Sequence, residues 1–250
     1  MLEFNKEVRV VCLIPARKGS IGLRRKNLRF VGCFTLVNRA IRIAKKINGT
    51  VFLVLSTDDN TIIRKYGGKV DLCIERKPEL STSESLISDV ISDALQKLNN
   101  FSDNDILLLL EPTSPNRTSE DVNNAIQVMI KNNYDSLTTV SEVDAKYHPY
   151  KLLKVTPDLH LNPFIVDSPL IHNRQQITEK AYFRNGLVYL YKLSTARKMN
   201  KTLPNRTHFI VTKRLTSNID NELDLLLARY FHIKNLFLKY SKQTLNSIHK

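Results

Sequence analysis

Val8-Arg9-Val10-Val11-Cys12-Leu13-Ile14-Pro15-Ala16-Arg17-Lys18-Gly19-Ser20-Ile21-Gly22 decides the fold. A short, almost uninterrupted apolar run reads as a strand buried on both faces, and it ends at a proline in a glycine-containing basic loop. The segments that follow repeat the alternation. A helix is expected over about Thr35 to Lys46, then a strand over Val51 to Leu55. Asp58 or Asp59 can cap a short helix before Tyr66-Gly67-Gly68. Leu86, Val90, Ile91, Ala94, Leu95 and Leu98 recur at helical spacing, and Ile106 to Leu110 is a third strand. Thr118-Ser119-Glu120-Asp121 opens another helix, with Ala125, Ile126, Met129 and Ile130 on one face. Strand, helix, strand, helix in this order predicts an α/β fold, a mostly parallel sheet covered on both sides.

The second half is less regular. Leu137 to Val143 and Leu187 to Tyr191 read as strands. Between them a polar stretch carrying Pro149, Pro157, Pro163 and Pro169 reads as an excursion from the core, about residues 147–180. A long amphipathic helix is expected from Asn221 to about Tyr240, followed by a basic tail over 241–250. With no repeat and no linker composition, a single domain over 1–240 is expected.

Composition narrows the function. The chain has 250 residues, 42% hydrophobic and 25% charged, with seven glycines and nine prolines, which excludes collagen-like and low-complexity chains. The aliphatic run Ile106–Leu110 is far short of the ~18 residues a membrane span needs. No signal-peptide pattern stands at the polar N-terminus, and three cysteines (Cys12, Cys33, Cys73) without Cys-x-x-Cys spacing suit a reducing compartment. A cytoplasmic protein without a membrane role is therefore expected, its cysteines serving as small buried hydrophobes. Thirty-eight Lys and Arg against 24 Asp and Glu give a net charge of +14, which favours anionic partners. No zinc-finger, leucine-zipper or RNA-recognition pattern accompanies the charge, so nucleic acid is not the expected partner.

Ligands of open parallel sheets sit beyond the carboxyl ends of the strands. Three segments fall there: Pro15 to Gly22, Ser56-Thr57-Asp58-Asp59, and Glu111-Pro112-Thr113-Ser114-Pro115. The first joins glycines, which allow close backbone approach, to several cations, the chemistry of a triphosphate cradle. It is neither a Walker loop nor a GxGxxG fingerprint, and on these residues alone a basic surface loop is an equal reading.

The ordered motifs go further. Ile14-Pro15-Ala16-Arg17 with Gly19-Ser20, Gly22 and Lys26-Asn27 resembles the N-terminal motif of the CMP-sialic acid synthetases, the acylneuraminate cytidylyltransferases. Ser56 to Asp59, Arg76-Lys77-Pro78-Glu79-Leu80, Ser85, Pro112 to Arg117, His148-Pro149, Asn173-Arg174-Gln175, Arg184-Asn185-Gly186 and Ile219 to Asp224 extend the resemblance in order. It spans about Val8 to Arg229. It implies a three-layer, Rossmann-like nucleotidyltransferase whose excursion serves a homodimer and reaches the sugar site. It also implies transfer of CMP from CTP to the anomeric hydroxyl of an acidic nine-carbon sugar, assisted by Mg²⁺. By the same resemblance Ala16, Arg17, Ser20, Lys26, Asn27, Arg76 and Ser85 bind the nucleotide. Glu111, Thr113, Ser114, Arg117, Arg174, Gln175 and Arg184 serve the sugar. Arg17, Lys26 and Asp220 are the catalytic group, with Asp220 and Asn218 at the metal.

Three residues depart from the family pattern. Asn218-Ile219-Asp220 stands where two aspartates are usual, leaving Asp220 as the one carboxylate for Mg²⁺. Ile21 stands where a lysine commonly follows the loop serine, with Lys18, Arg24 and Arg25 near enough in sequence to supply the cation. Glu111 replaces a sugar-contacting glutamine; a carboxylate only accepts hydrogen bonds, which predicts a donor on the sugar unless Glu111 pairs with Arg117. The rival readings are a synthetase for legionaminic, pseudaminic or 3-deoxy-octulosonic acid, and an impaired homologue that binds nucleotide or nucleotide sugar as a regulatory or scaffold subunit.

Overall fold

The computed structural model describes residues 8–20, 22–166 and 174–248. The first half runs β1 (Val10–Pro15), β2 (Phe30–Val31), β3 (Phe34–Thr35), α1 (Leu36–Ala44), β4 (Val51–Thr57), α2 (Asn60–Tyr66), β5 (Leu72–Glu75), α3 (Ile87–Gln96) and β6 (Ile106–Leu109). The second runs α4 (Ser119–Lys131), β7 (Ser136–Glu142), β8 (Leu153–Val155), β9 (Leu161–Pro163), β10 (Tyr182–Lys192), α5 (Leu193–Ala196), β11 (His208–Val211) and α6 (Glu222–Ile248).

Seven strands form one sheet in the order β11-β7-β10-β6-β1-β4-β5. All neighbours pair in parallel except at β10, which runs antiparallel to both β6 and β7. Successive side chains of a strand face opposite sides, and the two cores follow from that period. On one face Val10, Cys12, Ile14, Ile106, Leu108 and Leu110 meet α1, α2 and α4 through Ala40, Ile41, Ile62, Ala125 and Ile126. On the other, Val11, Leu13, Leu107 and Leu109 meet α3 and α5 through Ile91, Leu95 and Leu193. The expected three-layer α/β architecture is what the chain adopts.

The start signals act as their chemistry requires. Asp59, rather than Asp58, caps α2 by accepting from the Thr61 amide at 2.8 Å. Thr118 caps α4, and Asp121 returns the bond to the Thr118 amide at 2.8 Å, a reciprocal capping box. Strands β5 and β11 and the β2–β3 hairpin lie outside the sequence expectations. The C-terminal helix also continues through Ile248, beyond the expected end near Tyr240.

Two features position the loops at the carboxyl edge of the sheet. The first is a small core of Leu23, Val31, Leu36, Ile219, Leu225 and Ala228, which seats the start of α6 on the basic loop after β1. The second is β10, whose reversed direction brings its first residues, Tyr182 to Gly186, to the same edge. A register shift between Arg184 and Tyr189 and a positive φ of 71° at Gly186 let it bend there. The excursion leaves β7 after Glu142, forms the β8–β9 hairpin, and returns through a short turn over Arg174–Gln176. His148 is buried in it as a structural residue: its Nε2 meets the Glu179 carbonyl at 3.1 Å and its Nδ1 accepts from the Tyr150 amide. Among the cysteines Cys12 is fully buried and Cys73 partly, whereas Cys33 is exposed on the β2–β3 turn, contrary to expectation. No helix among the described residues is long and apolar enough to cross a membrane.

Candidate active site

A cleft of about 610 Å³ opens where β1, β4, β5 and β6 end. The basic loop after β1 forms one wall with Arg17, Ser20, Lys26 and Asn27; Arg76 and Ser85 stand opposite, and Glu111 and Thr113 close the third side. Leu80, Ile87 and Val90 supply an apolar patch suited to a flat base. The sequence assigned these polar residues to one site from segments spread along the first half of the chain, and the fold brings them together.

The wall is held by its own backbone. Thr57, fully buried, donates to the Ala16 carbonyl at 2.6 Å, and Asn27 donates to the Arg17 carbonyl at 2.9 Å. The Lys18 amide donates to Asp58 at 2.7 Å. Arg17 reaches across the cleft mouth to the Thr82 carbonyl at 2.8 Å, so it bridges the two walls. Arg76 is buried and donates to the Ser56 hydroxyl at 3.1 Å and the Ser56 carbonyl at 2.9 Å. Burial lowers its pKa to about 10, with Asp58 opposing and Arg17 reinforcing, so it stays cationic at neutral pH. Ser85 donates to the Glu79 carbonyl at 2.8 Å while accepting from the Thr82 amide at 3.0 Å, which fixes the loop before α3. Thr57, Asp58 and Thr82 are the supporting residues that motif reading left without roles. The signal for them was their place directly after a strand or within the Ser81-Thr82-Ser83 run.

Lys26 and Asp220, two of the three residues the resemblance placed in the catalytic group, meet at the cleft. Lys26 Nζ lies 2.9 Å from Asp220 Oδ1 and 2.8 Å from the Ile219 carbonyl. The Ile219 amide in turn donates to the Thr113 carbonyl at 2.9 Å, tying α6, the β1 loop and the β6 loop into one unit. Gly22 permits this approach, because a Cβ there would stand 2.2 Å from the Asp220 carbonyl oxygen. Asp220 is 72% exposed, its carboxylate open to solvent beside the cleft. Asn218 is exposed and approaches Gly186, where an added Cβ would meet its amide at 3.6 Å. Among the described residues no group of three or more Asp, Glu, His or Cys could enclose a metal. The donor set therefore fits a hard cation only in the mode where one carboxylate and substrate phosphates share the coordination.

Glu111 is half-buried at the cleft floor. Burial raises its carboxyl pKa and Asp220 adds to the rise, while Arg117, Lys26 and Arg184 oppose it. Its carboxylate thus lies in the field of Lys26 and of Arg184, which β10 presents exposed. Arg117 behaves differently from the expected sugar ligand. It is 4% exposed, beneath the floor, and donates to the carbonyls of Glu111 at 3.0 Å, Gly186 at 2.9 Å and Leu187. Its fork is spent on backbone, so it positions the floor. The alternative of a Glu111–Arg117 side-chain pair is not what forms: the contact is to the Glu111 carbonyl. Ser114, 2% exposed, leaves its hydroxyl without a partner, packed where a Cβ on Gly186 would stand 2.8 Å away. Gln175 is exposed on its short turn and does not line the cleft. Ile21 and the Arg174 side chain lie outside the described residues. Arg24 and Arg25 do not supply the cation next to the loop serine; they line a separate groove.

A mostly parallel sheet carries a basic loop after its first strand, and Lys26 of that loop pairs with Asp220 just before the last helix, an arrangement suited to nucleotidyl transfer. The chain belongs to the cytidylyltransferase family, whose sequence model matches residues 11–239. It is 26% identical over 243 residues to an N-acylneuraminate cytidylyltransferase of Streptococcus agalactiae serotype V, covering 92% of this chain and 54% of that protein. It is 28% identical over 232 residues to a CMP-N,N'-diacetyllegionaminic acid synthase of Legionella pneumophila, covering 88% of this chain and 95% of that one. The chain thus spans about half the length of the streptococcal relative and nearly all of the Legionella one. In fold it is similar to a CMP:2-keto-3-deoxy-manno-octonic acid synthetase solved with CTP, at a TM-score of 0.66 and 18% identity over 91% of this chain and 99% of that one.

Proposed function

We propose that this enzyme transfers CMP from CTP to the anomeric hydroxyl of a nonulosonic, sialic-acid-like sugar in the cytoplasm, releasing pyrophosphate and supplying surface-glycan synthesis. The observation that carries this reading is the cleft itself. Arg17, Ser20, Lys26 and Arg76 line one cleft with Glu111, and Arg184 acts on the Glu111 carboxyl from β10. The hydroxyl oxygen attacks the α-phosphorus and the bond to the β-phosphate oxygen breaks. Sugar carboxylate and triphosphate are both anions, so the main tasks are to bring them together and to neutralise charge on the phosphoryl oxygens. Arg17 and Arg76 face the phosphates with Lys26, and the Leu80–Ile87–Val90 wall takes the base. Arg184 suits the sugar carboxylate, since a guanidinium binds it through two parallel bonds. Asp220, with Asn218 beside it, would hold Mg²⁺ against the phosphates, where the ion would offset charge on the leaving pyrophosphate.

Glu111 sets the substrate class within this reading. A carboxylate accepts but does not donate, so it matches an amino or amide N–H on the sugar. Pyrophosphate release with CTP, Mg²⁺ and a panel of nonulosonic acids is expected to be fastest with an amino-substituted member. Glu111→Gln should lower kcat/KM for that sugar about ten- to a hundredfold, the worth of a hydrogen bond to a charged group. The sign of the pH effect follows from the raised pKa. As pH falls through it, Glu111 takes up a proton and ceases to be an anionic acceptor, so the wild-type rate drops on the acid side and Glu111→Gln flattens that limb. A wild-type preference for plain N-acetylneuraminate would sink the assignment.

A homodimer completes the reading. Both strands of the β8–β9 hairpin are exposed along their whole length, with Leu153, Val155 and Leu161 57%, 65% and 64% accessible. Phe183 and Phe209 are also exposed, on β10 and β11. An apolar arm of this kind is a surface for a second copy. Light scattering should give twice the chain mass, and Leu161→Asp should return it to the monomer value.

A further inference from the structure

The loop after β1 has two faces, and only one belongs to the cleft. Arg25 sits in the left-handed region (φ 55°, ψ 37°) just before a tight turn over Lys26–Leu28. Lys26 and Asn27 face the cleft, whereas Arg24, Arg25, Leu28 and Arg29 line a second groove of about 900 Å³. Lys65 from α2 and the rings of Phe30 and Tyr66 complete that groove. Arg29 is paired with Glu222 at 2.9 Å. Arg24, Arg25 and Lys65 have no carboxylate partner among the described residues.

Three uncompensated cations in one concavity repel each other, and a bound anion removes that repulsion while gaining charge-assisted hydrogen bonds. Guanidinium forks match phosphate oxygens, and several cations around one space match several phosphates better than a single carboxylate. Phe30, 54% exposed, offers a ring face beside them. The Tyr66 hydroxyl is already bonded to Thr35 at 2.8 Å, so its ring contributes shape and not a donor. On one side α2 bounds the groove through Thr61 and Lys65.

We propose that this groove is a second, non-catalytic site for a polyphosphate-bearing anion, a nucleoside triphosphate or inorganic polyphosphate. An occupant that contacts Arg24, Arg25 and Arg29 holds the same short segment that carries Lys26, so the two sites are coupled and each ligand alters the affinity for the other equally. The inference goes beyond the transferase reading and does not depend on it, because the groove shares no lining residue with the cleft.

Calorimetric titration with CTP, and separately with inorganic tripolyphosphate, tests it on the whole chain. Wild type should show two classes of site. The exposed pair Arg24→Gln/Lys65→Gln should weaken one class roughly tenfold or more, as two charge-assisted contacts are lost, and Arg17→Gln should weaken the other. Phe30→Ala weakening CTP alone assigns a nucleotide to the groove. Phe30→Ala leaving both ligands unchanged assigns inorganic polyphosphate. One class of site, unmoved by Arg24→Gln/Lys65→Gln, overturns the proposal whether or not the cleft binds CTP. A single-stranded oligonucleotide that excludes tripolyphosphate from the groove at lower concentration than CTP does also overturns it, in favour of nucleic acid.

Discussion

Arg117→Met should cost this protein about 3–5 kcal/mol of stability, because several carbonyls of the floor lose a charged donor at about 1–3 kcal/mol each. For a chain of this length that lowers the melting temperature by on the order of 10 °C. Methionine keeps much of the volume, so the loss is one of donors and charge. The Arg117 guanidinium, 4% exposed, donates to the carbonyls of Glu111, in the loop after β6, and of Gly186 and Leu187, on β10. Gly186 and Leu187 would lose this charged donor in the buried floor, whereas the Glu111 carbonyl keeps the Ser114 amide at 3.5 Å. The substitution also removes the cation that most opposes the burial of the Glu111 carboxyl. The two effects act on the same floor. Burial has already lowered the Arg117 pKa to about 10, which marks how little water reaches it. Arg117→Lys should recover only part of the loss, because one ammonium cannot span carbonyls on both the β6 loop and β10. A thermal melt followed by circular dichroism decides the matter. A melting temperature for Arg117→Met within about 2 °C of wild type would show that the network contributes little.

The same arginine shows what the sequence could and could not convey. Its place after Pro-Thr-Ser-Pro marked it as a residue of the site, yet nothing in its spacing told a ligand-facing fork from one turned beneath the floor. That distinction depends on β10, the reversed strand, whose Gly186 and Leu187 carbonyls arrive from 69 and 70 residues further along the chain. The sequence showed β1, β4 and β6 with α1, α3 and α4, because each carries its own apolar pattern; the one-turn α5 carries none. Periodicity missed β5 and β11, four-residue strands at the two sheet edges whose pairing is settled by neighbours and not by local composition. The polar loop residues at the strand ends were legible because a parallel sheet gathers them at one edge whatever their separation. Arg24 and Arg25 were the opposite case. Near Lys26 in sequence, they are turned away from it by one left-handed residue, a backbone detail that residue type alone does not disclose at an arginine.

Asp220→Asn should lower kcat for nucleotidyl transfer by about a hundred- to a thousandfold, the scale set by removing one preorganised electrostatic contact. Two roles are open to this carboxylate: orienting Lys26 and holding Mg²⁺. They separate because Lys26 has a second anchor, the Ile219 carbonyl at 2.8 Å, which the substitution leaves in place. If orientation of Lys26 were the whole role, asparagine would preserve the bond distance and most of the activity. If the charge attracts the metal, asparagine keeps the shape but removes the sole carboxylate of the pair, since Asn218 is already neutral. The fold should be indifferent, because Asp220 is 72% exposed and surface changes of this kind stay within about 0.5 kcal/mol. The discriminating readout is the Mg²⁺ concentration that gives half-maximal pyrophosphate release. It should rise about tenfold or more in Asp220→Asn, as expected when a carboxylate at a metal site is lost, and high Mg²⁺ should restore part of the rate. Asn218→Asp should move the same midpoint the other way by supplying a second carboxylate. An unchanged midpoint in both variants would assign Asp220 to Lys26 alone and leave the metal to the substrate's phosphates.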